Sequence, residues 1–174
     1  MPDIVIPELE QPVVSPFIEL FTLDTTSIGG TVYNFTPSKP GTGEYIQFNG
    51  VQYAWIPIEF SGLDYSSNGQ LPRPTVRISN VTKALLGAVI SLGDLVGAKF
   101  TRTRTFAKFL DGEPEANPNQ HLPKETFFVG SKKTHNKHIM EFELVTAFER
   151  AQIMIPKEQA TRKNFPGLGL ARNV

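Results

Sequence analysis

The residues of this 174-residue chain best suited to chemistry lie in residues 99–110, KFTRTRTFAKFL, where basic and aromatic side chains recur at every second position. Read as a strand, the stretch puts Phe100, Arg102, Arg104, Phe106 and Lys108 on one face. Thr101, Thr103, Thr105, Ala107 and Phe109 fall on the other. Arginines in a row can meet phosphates and phenyl rings can stack on bases, so the face could hold nucleic acid. A face buried against another protein accounts for the same residues, and so does a plain solvated face. The chain carries 17 acids and 17 bases, a net charge of zero, which weighs against a nucleic-acid footprint. The protein-interface reading is therefore preferred. A nucleic-acid-binding β-barrel using the basic strand 99–108 is the alternative.

The other reactive side chains do not form a site. His121, His135 and His138 are the only histidines, and the H-x-x-H spacing of the last two points them to opposite faces of a strand. Lys132, Lys133 and Lys137 nearby also repel a cation, so no metal site is expected. There is no cysteine, hence no disulfide, thiol nucleophile or thiolate ligand. No carboxylates are spaced to flank a substrate, and no serine sits in G-x-S-x-G. Gly29-Gly30, Gly41-x-Gly43 and Gly167-x-Gly169 lack the lysine and the strand–loop–helix setting of a phosphate loop, and read as turns. The expectation is a protein that is not an enzyme.

The elements that must carry these residues are mostly strands. Thirteen Phe, 14 Gly and 14 Pro favour β structure with many turns. Asn49-Gly50 is a strong hairpin signal because both central residues of a type I′ turn need φ > 0. A two-residue loop sets Phe48 opposite Val51, Ile46 opposite Tyr53 and Glu44 opposite Trp55. Residues 15–23 form a strand buried on both faces, with Phe17, Phe21 and Leu23 on one side and Ile18 and Leu20 on the other. Residues 31–36 form the next. Residues 60–73 read as a polar excursion leading into a strand at 75–78, and 111–123 as a mobile surface loop. Residues 124–130 and 138–145 pair across a loop at 131–137, with Met140, Phe142 and Leu144 toward the core.

One substantial helix is expected over residues 80–92, with apolar residues at Val81, Ala84, Leu85, Ala88, Val89 and Leu92, Ser79 or Asn80 as N-cap and Gly93 as stop. Leu86 and Ile90 widen its apolar stripe. The overall class is mainly β, a barrel- or sandwich-like domain over residues 15–156. A Pro-punctuated arm at 1–14 precedes it and a basic tail at 157–174 follows. No apolar run is long enough for a membrane helix, and the N-terminus does not read as a signal peptide, so no membrane insertion is expected.

Residues 1–72 hold eight acids against Lys39, and residues 73–174 hold 16 bases against nine acids, so the halves differ as −7 and +7. That division reads as a polar subunit whose acidic side meets the basic side of a neighbour. The residues expected at such contacts are Arg73, Arg77, Leu86, Ile90, Arg102, Arg104, Lys108, Arg162 and Lys163.

The run from the hairpin through SGLDYSSNGQLPRPTVRISN resembles the minor tail protein L family of long-tailed bacteriophages. The likeness rests on Phe48, Gly50, Tyr53, Gly62, Arg73, Pro74, Thr75, Val76, Ile78, Ser79 and Asn80. It continues through Gly29-Gly30 before Tyr33-Asn34-Phe35, through residues 79–97, Arg104-x-Phe106-x-Lys108-Phe109-Leu110-Asp111, Phe142-Glu143-Leu144 and Phe165-Pro166-Gly167. The resemblance implies a virion protein of the tail tip, assembled in the bacterial cytoplasm. It would form a ring of three or six copies between the tail tube or distal tail protein and the central hub or fibre. The ring would surround a channel through which DNA passes only in transit. Family members continue into a Cys-rich segment associated with an iron–sulfur cluster. This chain carries no Cys, so it is expected to correspond to the β-rich N-terminal part and to hold no cofactor.

Overall fold

The structure is a computed structural model that describes residues 15–41, 44–63, 72–79, 85–136 and 138–150. The arm at 1–14, the middle of the 60–73 excursion, the first half of the expected helix and the basic tail lie outside the described residues.

Among the described residues nine strands form a single sheet, which bears out the mainly β class. They are β1 (Phe17–Asp24), β2 (Val32–Thr36), β3 (Tyr45–Phe48), β4 (Val51–Trp55), β5 (Ile58–Ser61), β6 (Thr75–Ser79), β7 (Lys99–Phe106), β8 (Glu125–His135) and β9 (Ile139–Val145). Their order across the sheet is β3-β4-β2-β1-β7-β8-β9-β6-β5. Only Ile56 and Pro57 separate β4, near one edge, from β5, at the other. Three residue steps span at most about 10 Å, so the sheet must curl until its two ends nearly meet. The seam is fastened by Ile56 N–H donating to Thr36 O at 3.0 Å and Ser79 N–H donating to Pro57 O at 2.9 Å.

Curling gives the sheet an inside. Phe21, Leu23, Phe35, Val76, Ile78, Phe100, Phe127, Val129, Met140, Phe142 and Leu144 fill it. Phe60, on edge strand β5, stacks on Phe100 of β7 at 6.1 Å between centroids and a 2° interplanar angle. Fully burying each such ring is worth roughly 2 to 3 kcal/mol, so the aromatic cluster is a large share of the fold's stabilisation. A second, smaller core lies on the opposite face of β1. There Ile18 and Leu20 meet Ile46, Phe48 and Tyr53, because the β3–β4 hairpin curls back over that strand. The double-sided burial of β1 follows from its place between two cores.

The hairpin has the expected register, Phe48 with Val51 and Ile46 with Tyr53. Asn49 (φ 54) and Gly50 (φ 73) make the turn. Trp55, at the end of β4, is 46% exposed and donates its indole N–H to Pro37 O at 3.2 Å.

Four boundaries depart from expectation. The 60–73 excursion starts later, because Phe60 is drawn into β5 by the rings of Phe21, Phe100 and Phe127. The strand from 99 stops at Phe106, and Ala107–Phe109 turns as a 3-10 helix, with Ala107 N–H bonded to Pro16 O. β8 runs on to His135 instead of yielding a loop at 131. Two bulges, at Gly130 and Lys133, absorb the extra residues, and Asn136 Oδ1 closes the turn by accepting from His138 and Ile139 N–H. The helix appears as α1 (Leu86–Ser91), with residues 80–84 outside the described set. Ser79 is not its cap, since it is the last residue of β6 and pairs with Ile139. Gly93 (φ 60) ends it as expected. A short helix, α2 (Ala147–Arg150), follows β9.

Residues 111–123 are stitched to β7. Thr105 Oγ1 donates to Gln120 O at 2.7 Å, and Leu122 N–H to Arg104 O at 2.8 Å.

Candidate protein interface

The arginine row of β7 is set by strand pairing. β1 and β7 align Glu19 with Arg104 and Phe21 with Arg102, so the two arginines share the inner face with Glu19. Arg102, whose side chain is 12% exposed, bonds Glu19 through Nη2 and Glu125 Oε2 through Nη1 at 3.1 Å. Arg104 Nη2 reaches Glu125 Oε1 at 2.6 Å. The Arg102 guanidinium also lies 4.9 Å from the Phe60 ring centroid, closing the aromatic core. Two guanidiniums thus face two carboxylates, and the row is electrically satisfied within the subunit. Lys108 pairs with Glu115 at 3.2 Å and lies 4.9 Å from the centre of the Phe109 ring.

A second network covers the outer face of β5, β6, β9 and β8. Cross-strand pairing aligns Glu59, Arg77 and Glu141 in one row. Arg77 bonds Glu141 at 3.1 Å and Glu59 at 3.5 Å. Arg73 bonds Glu143 at 3.3 Å and Glu149 of α2. Lys133 bonds Glu143 at 2.9 Å. The hydrogen bond from Lys133 holds the Glu143 carboxyl below its ordinary value, with Arg73 adding to the effect. Hydrogen bonds from Thr26 do the same for Asp24. Burial pushes the Tyr53 hydroxyl up.

These pairs change the meaning of the charge division. Glu19 and Glu59 come from the acidic half, Arg102 and Arg77 from the basic half, and the fold interleaves them. The two halves of the sequence do not form two faces of the folded body.

Of the residues expected at contacts, Arg73, Arg77, Arg102, Arg104 and Lys108 thus all carry internal partners. Leu86 is half-buried. Ile90 projects from α1 at 71% exposure while Ala88 and Val89 turn inward. Arg162 and Lys163 lie outside the described residues.

A groove of about 460 Å³ runs along the seam where the sheet closes. Pro37, Pro57, Ile58 and Ile139 supply its apolar wall, and Glu59 and Arg77 its charged rim. Trp55 adjoins it through the hydrogen bond to Pro37, and Ile139 is 42% exposed. An apolar centre with an ion-paired rim is the usual anatomy of a protein contact. Of its lining, sequence reading picked out Arg77 alone. The groove's signal is the chain's one tryptophan at a strand end, two residues before a proline.

Among the described residues the histidines stand apart from one another. His121 Nδ1 sits 2.7 Å from Leu122 O, and His135 and His138 flank the Asn136 turn. Among the described residues no three His, Asp or Glu side chains converge as ligands, and the sequence offers no thiolate. The residues present therefore do not fit an iron–sulfur cluster. No helix among the described residues is long and apolar enough to cross a membrane.

The sequence pattern of the family described as phage minor tail protein L matches residues 26–166. The chain is similar to the tail tip protein L of Escherichia phage lambda, with 32% identity over 111 residues. That match covers 64% of this chain and 48% of the relative, so it spans about half the length of the curated protein.

Proposed function

Because this chain belongs to the phage minor tail protein L family, we propose that it is a structural subunit at the tip of a long-tailed phage tail. It forms a ring of three or six copies that joins the tail tube and distal tail protein to the central hub or fibre. The ring surrounds the channel by which DNA leaves, and it is assembled in the host cytoplasm before the virion is complete. The observation that carries this reading is the family match, which takes in every strand from β2 to β9. The surface supports it. Many charged side chains are paired within the subunit, while Trp55, Ile90, Ile139 and Phe148 stand exposed as candidate contact residues. No catalytic role is proposed.

The test is electron microscopy of particles made without this subunit. Tails that are missing, or that end abnormally at the tip, support the reading, whereas normal infectious tails overturn it. The nucleic-acid alternative is disfavoured because Glu19 and Glu125 neutralise the Arg102–Arg104 row. A gel-shift titration at physiological salt with no retained DNA agrees with that.

A further inference from the structure

Two exposed apolar features stand at opposite ends of strand β9. Ile139, its first residue, borders the seam groove together with Pro37, Pro57 and Ile58. Helix α2 follows soon after its last residue, Val145, and turns Ala147, Phe148 and Arg150 to solvent. Phe148 is 59% exposed. It is also held in place. Glu149 turns inward to bond Arg73, and the Arg150 guanidinium lies 4.4 Å from the centre of the Phe128 ring. With α2 tied down on both sides of Phe148, the ring projects from a fixed support.

The two features are complementary. One is a ring on a short helix, and the other is a recess of about 460 Å³, within the range that receives groups larger than a phenyl ring. At the rim, Arg77 is bonded to Glu141 at 3.1 Å and to Glu59 at 3.5 Å, so two carboxylates share one guanidinium. The Glu59 side chain, 65% exposed, is the more loosely held of the two and can accept a further cation. Arg150 offers one from the same helix as Phe148. Within one copy the ring and the groove cannot meet. The six residue steps from Ile139 to Val145 span about 20 Å, and β9 is bonded into the sheet on both sides.

We infer that Phe148 of one copy inserts into the seam groove of the next, with Arg150 approaching Glu59. Knob and groove occupy different places on the same molecule, so each copy gives one contact and receives another. This is the heterologous geometry that closes a ring, and the inference deepens the ring reading above and rests on it. On docking, Phe148, Ile139 and Trp55 lose water together, an aromatic anchor in a pocket with a charged pair at its edge.

The test uses the full chain and two variants. Phe148→Asp removes the knob, and Ile139→Arg obstructs the groove. Both side chains are on the outer surface, so each variant should melt within about 4 °C of the wild type. In sedimentation velocity each variant alone should associate at least about tenfold more weakly than wild type. An equimolar mixture should form one-to-one dimers and nothing larger, because one variant keeps its groove and the other its ring. Trp55, the single tryptophan of the chain and a neighbour of the groove, supplies a local signal. Its emission should shift to the blue as wild type associates, and should not shift in Phe148→Asp at the same concentrations. Variants that associate like wild type overturn the inference and leave the ring reading in place. So does a mixture that stays monomeric or grows past the dimer, or wild-type association that leaves Trp55 emission unchanged. A wild-type chain that stays monomeric at every concentration sinks both.

Discussion

Arg102 and Glu19 form an ion pair across neighbouring strands, although they come from oppositely charged halves of the sequence and lie 83 residues apart. Arg102 also holds Glu125, and its side chain is nearly buried. Removing it leaves two carboxylates close together with one less counter-charge. Arg102→Met should therefore destabilise the subunit by about 3 kcal/mol, read as a lower urea midpoint. Arg102→Glu should cost more. An Arg102→Glu chain that melts with the wild type would show that this arginine is not a structural tie.

Asp111 is a second long-range tie. Its carboxylate accepts from Asn49 N–H at 3.1 Å and Gly50 N–H at 2.7 Å, and its own N–H donates to Gln47 O at 3.0 Å. One side chain thus takes both free amides of the type I′ turn and fixes the hairpin against the loop after β7. Asp111→Ala should cost about 1 to 2 kcal/mol, because charge-assisted bonds are lost at an exposed site. Asp111→Asn keeps one acceptor oxygen and should lose about half as much. Equal melting temperatures for all three chains would contradict the capping role.

What was legible in the sequence is local. Asn49-Gly50 fixed its own register because φ > 0 at two adjacent positions admits few alternatives. The Met140-Phe142-Leu144 face and the stop at Gly93 followed from periods of two and 3.6. Glu19, Glu59 and Glu125 gave no sign of their partners, because register between distant strands decides which charges meet. Strand β5 was hidden for a similar reason. Its four residues, Ile-Glu-Phe-Ser, are too short for a period, and Phe60 becomes informative only once Phe100 stands opposite. The groove at Pro37, Pro57 and Ile139 exists only where the sheet closes, which no window of sequence contains.

Glu143 predicts a pH dependence. Its carboxyl is held below the ordinary value of 4.5, chiefly by the bond from Lys133. A carboxyl depressed in the folded state contributes stability that is fully present above its unfolded value. That contribution is lost as pH falls through the folded value. Lys133→Met removes the main cause, so wild type should be the more stable of the two at pH 6. The gap should narrow steadily from about pH 4.5 downward as Glu143 protonates in both chains. Thermal melts from pH 6 to pH 3 test it, and a gap that widens with acid would refute the assignment.

Ile90 and Ile139 separate folding from assembly. Ile90 is 71% exposed on α1, and Ile139 is 42% exposed at the rim of the seam groove. Neither belongs to an ion pair, so a polar replacement removes little that the isolated subunit uses. Ile90→Asp should change stability by no more than about 0.5 kcal/mol, as surface substitutions usually do. Ile139→Asn keeps its strand pairing with Ser79 and should cost about 1 kcal/mol, given its partial burial. In a tail-tip subunit each change should nevertheless cut incorporation into tails, because an apolar residue that is solvated in the monomer becomes desolvated at the proposed subunit contact. The measurement is a complementation assay with folded variant protein, counting finished tails by microscopy. Normal tail numbers from both variants would move the assembly contacts away from α1 and the seam, and leave Trp55 and Phe148 as the surfaces to test next.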